Sequence, residues 1–246
     1  MPQNLRAFAF LLSLFLIIFF SFESKAQFDS GTNWTKAGNS FMQVQNGSII
    51  QTSVNDPSRQ VTLVDAALLT PKGKTEPIAI RSFRFSEDGK KVLIYTNSKK
   101  VWRYDTRGDY WVADLSAKTL KQVGAARPVS SLMFAKFSPD GTKVAYVSEH
   151  NIFSEDLASG KVSKLTSDGT KRLINGTFDW VYEEELDCRD GFRWSPDGKS
   201  IAYWQLDANK IRNYLMLNTT DSLYPFTVPV EYPVVGQDPS RCRIGV

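Results

Sequence analysis

Three consecutive glutamates, Glu183, Glu184 and Glu185, follow two large aromatic residues in the stretch DWVYEEELD (179–187). In a regular strand, adjacent side chains point to opposite faces, so neighbouring carboxylates there cannot converge on one ligand. In a helical turn they lie about 100° apart and can lean toward one point. Converging carboxylates repel each other and raise one pKa unless a cation lies between them. The stretch therefore predicts a helical turn that binds an ammonium group, and a solvated acidic turn is the alternative.

Few other residues have the types or spacing that catalysis requires. His150 is the one histidine in the sequence, and no Gly-x-Ser-x-Gly elbow occurs. One histidine and the distant Cys188 and Cys242 match no metal-ligand spacing. We therefore predict no catalytic residues, metal or cofactor in this chain, and interpret His150 as a turn residue.

An oxidising compartment would permit a Cys188–Cys242 disulfide, and two separate thiols are the alternative.

An internal repeat of about fifty residues indicates the scaffold that positions these residues. The copies are FSEDGKKVLIY (85–95), FSPDGTKVAYV (137–147), WSPDGKSIAYW (194–204) and the weaker KAGNSFMQV (36–44). Their aligned glycines are 51, 52 and 57 residues apart, at Gly38, Gly89, Gly141 and Gly198. Each copy contains turn residues followed by an apolar strand, because Pro presets φ and Gly permits a positive φ.

Repeats of this length with hairpin signals are typical of propeller blades. The fold class predicted is all-β: a partial β-propeller of four-stranded antiparallel blades, about four of them, over residues 27–246. Two β-sandwiches with coincidental turns are the alternative. About four blades leave an open ring, so we expect this chain to be the N-terminal portion of a longer protein.

The first 26 residues have the pattern of a signal peptide. Arg6 precedes the apolar run Ala7–Phe22, and Ser24-Lys25-Ala26 has the small-x-small pattern of a cleavage site. The run is short for a membrane span of about 20 residues. We therefore predict an exported protein, periplasmic or secreted, and a retained signal anchor is the alternative.

Charge excludes one class of partner. The formal net charge is +4, and removing Arg6, Lys25 and Glu23 with the signal peptide changes it to +3. Acidic and basic residues are interspersed with no basic block, so the chain lacks the electrostatic pattern of a nucleic-acid-binding protein.

The stretch DWVYEEE and the following FRWSPDGKSIAYWQLD resemble the propeller of dipeptidyl peptidase IV, in the prolyl oligopeptidase family of serine peptidases. The resemblance extends from about Lys90 to Asp207 and is looser outside this range. In that family the last two glutamates of the motif hold the substrate's N-terminal ammonium, which implies this role for Glu184 and Glu185. KVWRYDTRGDYWVADL aligns with a Trp-Arg pair whose arginine contacts the substrate backbone and the glutamates, which implies that role for Arg103.

The resemblance implies the substrate-selecting portion of an exported serine dipeptidyl peptidase that releases N-terminal dipeptides after penultimate proline or alanine. Family members end in an α/β-hydrolase domain with a Ser-Asp-His triad, and that domain is absent from this sequence. The implied partners are a peptide with a free N-terminus, the missing hydrolase domain and, because family members often dimerise, a second copy. The alternatives are a non-catalytic propeller that acts as a peptide-binding or interaction module, and an aminopeptidase that releases tripeptides.

Overall fold

The computed structural model describes residues 33–246, whose regular secondary structure is almost entirely antiparallel β-strand. The predicted signal peptide, residues 1–26, lies outside the described residues. Within the described part the α-helix α1 spans Trp180–Leu186. No helix in residues 33–246 has the length and apolar character that crossing a membrane requires.

Most strands of the described chain belong to four successive groups, here called blades 1 to 4. Blade 1 contains β1 (Asn33–Trp34), β2 (Ser40–Gln45), β3 (Ser48–Ser53) and β4 (Gln60–Val64). Blade 2 contains β5 (Ser82–Phe85), β6 (Lys91–Lys99), β7 (Arg107–Asp114) and β8 (Thr119–Val123). Blade 3 contains β9 (Leu132–Phe137), β10 (Lys143–Ser148), β11 (Asn151–Asp156) and β12 (Val162–Lys164). Blade 4 contains β13 (Leu173–Asn175), β14 (Phe192–Trp194), β15 (Ile201–Asp207) and β18 (Arg241–Gly245).

Two connections depart from a simple series of blades. Blades 2 and 3 form one continuous sheet, because β7 pairs with β9 at Arg107↔Met133 and Gly108↔Leu132. Between β15 and β18 the chain forms a separate hairpin of β16 (Asn213–Asn218) and β17 (Phe226–Glu231). The four antiparallel blades confirm the predicted all-β, partial propeller fold.

The three strong sequence repeats contain the turns that join β5 to β6, β9 to β10 and β14 to β15. In each turn a serine hydroxyl bonds the aspartate two residues later at 2.6 Å. The glycine that follows has a φ of 66° to 69°, which an L-residue with a side chain adopts only with strain. The repeat is therefore explained by one turn that each blade needs in order to reverse direction.

Alternating side chains of the central strands fill the cores between blades. On β6, Val92 and Ile94 pack toward blade 1, while Leu93 and Tyr95 pack toward blade 3. The same alternation occurs on β10. Val144 and Tyr146 pack toward blade 2, while Ala145 and Val147 pack toward blade 4. Both faces of blades 2 and 3 are thus buried.

Two apolar surfaces are exposed within residues 33–246. On blade 4, Trp204 and Ile244 pair across β15 and β18 and are 42% and 66% exposed. On the separate hairpin, Leu215 and Leu217 are 61% and 64% exposed. These surfaces lack the sheet-to-sheet contact that covers both faces of blades 2 and 3.

The turn aspartates predict how acid affects stability. Hydrogen bonds from the turn serines lower the pKa of Asp88, Asp140 and Asp197 below the ordinary 3.8. A carboxylate with a lowered pKa stabilises the fold above its ordinary pKa, and this contribution is lost as the pH falls through the lower folded value. The triple variant D88N/D140N/D197N should therefore show a shallower fall of the melting temperature below pH 4 than the wild type.

The melting temperature between pH 7 and pH 3 measures this effect, with D238N as the control because Asp238 is exposed and lies outside the turns. Equal slopes for the triple variant and the wild type would show that these carboxylates contribute nothing to acid sensitivity.

Candidate functional site

Helix α1 lies where one edge strand of blade 4 is interrupted. β13 pairs with Gln205–Asp207 of β15, and β14 pairs with Ile201–Tyr203. Because β18 pairs with Tyr203–Asp207 on the other edge, β13 and β14 share the same edge of β15. Residues 176–191 therefore leave the sheet between two halves of one strand, and the three glutamates lie in this excursion.

Local hydrogen bonds define both ends of α1. The Asp179 carboxylate accepts from the Tyr182 N–H at 3.2 Å, which caps the first turn. Asp187 ends the helix in the left-handed region with a φ of 56°, and its N–H bonds the carbonyl of Tyr182. The Tyr182 hydroxyl donates to the Ser240 carbonyl at 3.0 Å, and the Ser240 hydroxyl donates to Asp179. The helical turn expected for a converging glutamate pair is thus present and anchored beside β18.

The aromatic residues beside the glutamates pack on other aromatic rings. Trp180 lies 4.3 Å from Tyr232 between ring centres, and Tyr182 stacks on Phe178 at 5.9 Å. These contacts hold the apolar part of the helix against blade 4 and its neighbouring segment. Contacts with other rings therefore accommodate Trp180 and Tyr182 directly before the three glutamates.

Arg103 contacts the helix from the loop 100–106, which joins β6 to β7. Its Nε donates to Oε2 of Glu184 at 2.7 Å, and a terminal N–H donates to the other oxygen. The two residues are 81 positions apart in sequence. The hydrogen bond to Glu184 raises the pKa of Arg103. The Arg103 side chain remains 71% exposed and that of Glu184 is 21% exposed, so the pair faces solvent.

Glu185 is next to this pair and remains available. It is exposed and, within residues 33–246, makes no side-chain hydrogen bond or ion pair. Successive helical positions are about 100° apart, so Glu184 and Glu185 can both reach a group beyond the helix surface. The structure thus brings Arg103 and Glu184 together and leaves the Glu185 carboxylate free.

Glu183 and Arg189 form a second, more buried pair that sequence reasoning missed. The Glu183 side chain is 7% exposed, and its Oε1 lies 3.7 Å from Nε of Arg189. Burial raises the pKa of Glu183, while Arg189 acts in the opposite direction. Neither of these two atoms has a hydrogen-bond partner among the described residues. Residue type and spacing do not distinguish Glu183 from Glu184 and Glu185, and the family resemblance distinguishes it only by leaving it without a role.

A cavity of about 510 Å³ lies between α1 and the Arg103 loop. Trp102 lines it from the loop, Trp180 and Glu183 from the helix, and Arg189 from the residues that follow. Apolar and aromatic walls with a few polar groups are typical of small-ligand sites, but the predicted site residues Arg103, Glu184 and Glu185 do not line this cavity.

The histidine and the two cysteines do not form a metal-binding group in the described residues. His150 occupies the turn between β10 and β11 with a φ of 63°, as the turn interpretation requires, and burial lowers its pKa. Cys188 and Cys242 are free thiols. The described part of the chain contains no group of three or more side chains that could hold a metal ion.

Comparison with known proteins identifies the family. Residues 86–246 match the family described as the dipeptidyl peptidase IV (DPP IV) N-terminal region. The chain belongs to this family. It is 30% identical over 201 residues to dipeptidyl aminopeptidase B of Saccharomyces cerevisiae, covering 80% of this chain and 24% of that relative. A probable dipeptidyl-aminopeptidase B of Talaromyces marneffei is 34% identical over 148 residues, covering 60% of this chain and 15% of the relative.

Solved structures agree with this family membership. The crystal structure of Porphyromonas gingivalis dipeptidyl peptidase 4 matches with a TM-score of 0.75 at 25% identity, covering 86% of this chain and 30% of that one. A putative dipeptidyl aminopeptidase IV from Bacteroides ovatus matches with a TM-score of 0.55 at 14% identity, covering 84% and 27%. The second likeness supports the fold alone. The chain spans about a quarter of the yeast relative's length.

The exposure of the Arg103–Glu184 pair predicts a small effect on stability. E184Q should lower the free energy of unfolding by at most about 1 kcal/mol, because a solvent-facing ion pair contributes little to folding. Urea unfolding of E184Q and of the wild type measures the difference in the free energy of unfolding. E87Q is the control, because Glu87 forms an exposed ion pair with Lys36. A loss above about 3 kcal/mol would instead identify a structural ion pair of the buried kind.

Proposed function

We propose that this chain is the substrate-selecting N-terminal region of an exported dipeptidyl peptidase, and that Glu184 and Glu185 hold the N-terminal ammonium of a peptide. The observation that carries the proposal is the two-point hydrogen bond from Arg103 to Glu184, between elements 81 positions apart in sequence. Membership of the dipeptidyl peptidase IV N-terminal family supports it.

Charge explains why an ammonium group would bind here. Arg103 compensates one carboxylate, Glu184, and within residues 33–246 no cation pairs with Glu185. An ammonium group has three N–H donors and can bond both carboxylates at once. At about 4 Å, one unit charge gains roughly 4 kcal/mol from an opposite charge at an effective dielectric near 20, before desolvation is subtracted. A blocked, uncharged amino terminus would lose this gain.

Arg103 has N–H donors that Glu184 does not use and that can bond the peptide backbone. A guanidinium carries five N–H groups in a fixed plane, and Glu184 accepts from two of them. The side chain is 71% exposed, so the remaining donors can bond a substrate carbonyl. Arg103 would then orient the first residues of the peptide while the glutamates hold its end.

The two anchors would fix the length of the released product. If the amino terminus is held at α1, a nucleophile at a set distance can reach only one peptide bond. The acyl-enzyme chemistry would be performed by an α/β-hydrolase domain that is not part of this sequence, after a penultimate proline or alanine. The name dipeptidyl aminopeptidase, which the yeast relative carries, agrees with a product of two residues.

Replacing Glu185 tests the ammonium clamp. E185Q should weaken the binding of alanyl-proline amide about 10- to 100-fold, because one charge-assisted hydrogen bond contributes roughly 1.5–3 kcal/mol. Calorimetric titration of the chain with the free and the N-acetylated peptide measures this directly. The acetylated peptide should bind poorly to both the wild type and E185Q.

E87Q is the matched control, because Glu87 is an exposed glutamate in a blade 2 turn. Equal affinity of the wild type for free and acetylated peptides would refute the clamp. Binding of the free peptide by a full-length protein that does not cleave it would favour the non-catalytic, peptide-binding alternative.

Export is proposed from the pattern of residues 1–26. Cleavage after Ala26 should give a mature protein that begins at Gln27, which mass spectrometry of the protein produced in its own cells would detect. L16R, which places a charge in the apolar run, should leave the precursor uncut. A mature chain that still begins at Met1 would contradict cleavage and favour the retained anchor.

A further inference from the structure

Arg189 lies at the junction between helix α1 and the loop that carries Arg103. Its guanidinium carbon lies 3.7 Å from the centre of the Tyr104 ring. Its Nε lies 3.7 Å from Oε1 of Glu183, and a terminal N–H bonds the carboxylate of Asp187. One side chain therefore contacts the helix, the residue that ends the helix and the loop.

The loop has few other contacts that would hold Arg103 in place. The side chain of Arg103 is 71% exposed, and Tyr104 is 48% exposed. The Tyr95 hydroxyl bonds the carbonyls of Asp105 and Arg107, and Arg81 pairs with the Asp105 carboxylate at 3.5 Å, so these contacts hold only the end of the loop. Within residues 33–246, the hydrogen bonds, ion pairs and cation–π contacts of these two side chains with other segments involve Glu184 and Arg189. Both anchors come from the same excursion of blade 4.

Two carboxylates lie against the guanidinium of Arg189 and favour its position beside Tyr104. Glu183 is nearly buried, so moving Arg189 away would leave a carboxylate without a compensating charge. Asp187, whose side chain is 82% exposed, accepts a hydrogen bond from a terminal N–H of the guanidinium. A planar guanidinium held in this way presents a flat face to an aromatic ring with little further loss of entropy.

We propose that Arg189 is a positioning residue: Glu183 and Asp187 hold its guanidinium against Tyr104, and this stacking fixes the loop so that Arg103 reaches Glu184. Its biological role rests on the proposed function, because the Arg103–Glu184 pair belongs to the proposed peptide site. The position of the loop is measurable without any peptide.

Tryptic cleavage of the native chain after Lys100 reports how often the loop opens, because cleavage follows the open population when closing is fast. Y104A removes the stacked ring at an exposed position and should raise this cleavage rate roughly 3- to 30-fold, the range that corresponds to loss of one cation–π contact. Y104F keeps the ring and should be cleaved at the wild-type rate.

Variants at Arg189 test the other side of the contact. R189Q should also raise cleavage after Lys100, and the double variant Y104A/R189Q should be cleaved at about the rate of the faster single variant, because both changes remove one contact. R243Q is the matched control, since Arg243 is exposed on β18 and makes no side-chain hydrogen bond or ion pair within residues 33–246. If R189Q does not fold, Y104A and Y104F carry the test by themselves.

Unchanged cleavage after Lys100 in Y104A would overturn the inference. So would an equal rise in cleavage after Lys164 in blade 3, because that would indicate general loss of stability rather than a looser loop.

Peptide binding separates this inference from the proposed function. Y104A should weaken binding of alanyl-proline amide several-fold while Y104F binds like the wild type, and a loosened loop with unchanged affinity would contradict the positioning role. If Y104A loosens the loop but E185Q leaves peptide affinity unchanged, the ammonium clamp fails while the anchoring of the loop by Arg189 stands.

Discussion

Pairing of β13 and β14 with one edge of β15 fixes where residues 176–191 leave the sheet. Because β13 and β14 pair with neighbouring parts of β15, the segment between them must begin and end close together on the same edge of the sheet. Helix α1 is the result, capped by Asp179 and ended by Asp187. The placement of the glutamates therefore depends on strand pairing in blade 4, and not on helix propensity, which is weak for seven residues.

The charges around α1 form two layers with different exposure. The inner layer, Glu183 with Arg189, is nearly buried and ties the helix to the Arg103 loop. The outer layer, Glu184 with Arg103, faces solvent and is extended by the free carboxylate of Glu185. Moving Arg189 away would leave the nearly buried Glu183 carboxylate without a compensating charge, which disfavours that movement. The inner layer can thus be rigid while the outer layer remains open to a ligand.

Sequence reasoning predicted the propeller because its turns are local: the serine, aspartate and glycine of each repeat determine the turn without help from distant residues. It also predicted that the glutamates need a helical turn, because strand geometry would separate them. It missed Arg189 and Tyr104, since their contact joins a residue after α1 to a loop of blade 2. Nothing in the neighbouring sequence of either residue indicates such a long-range contact. The role of Arg103 was proposed from family resemblance, and the structure supplies its hydrogen bond to Glu184.

The most direct test of the ammonium clamp is a crystal structure of this chain with alanyl-proline amide bound. We expect the peptide's terminal nitrogen to lie within about 3 Å of carboxylate oxygens of both Glu184 and Glu185, with Arg103 still bonded to Glu184. A terminal nitrogen that contacts neither glutamate, or a peptide bound elsewhere on the propeller, would contradict it.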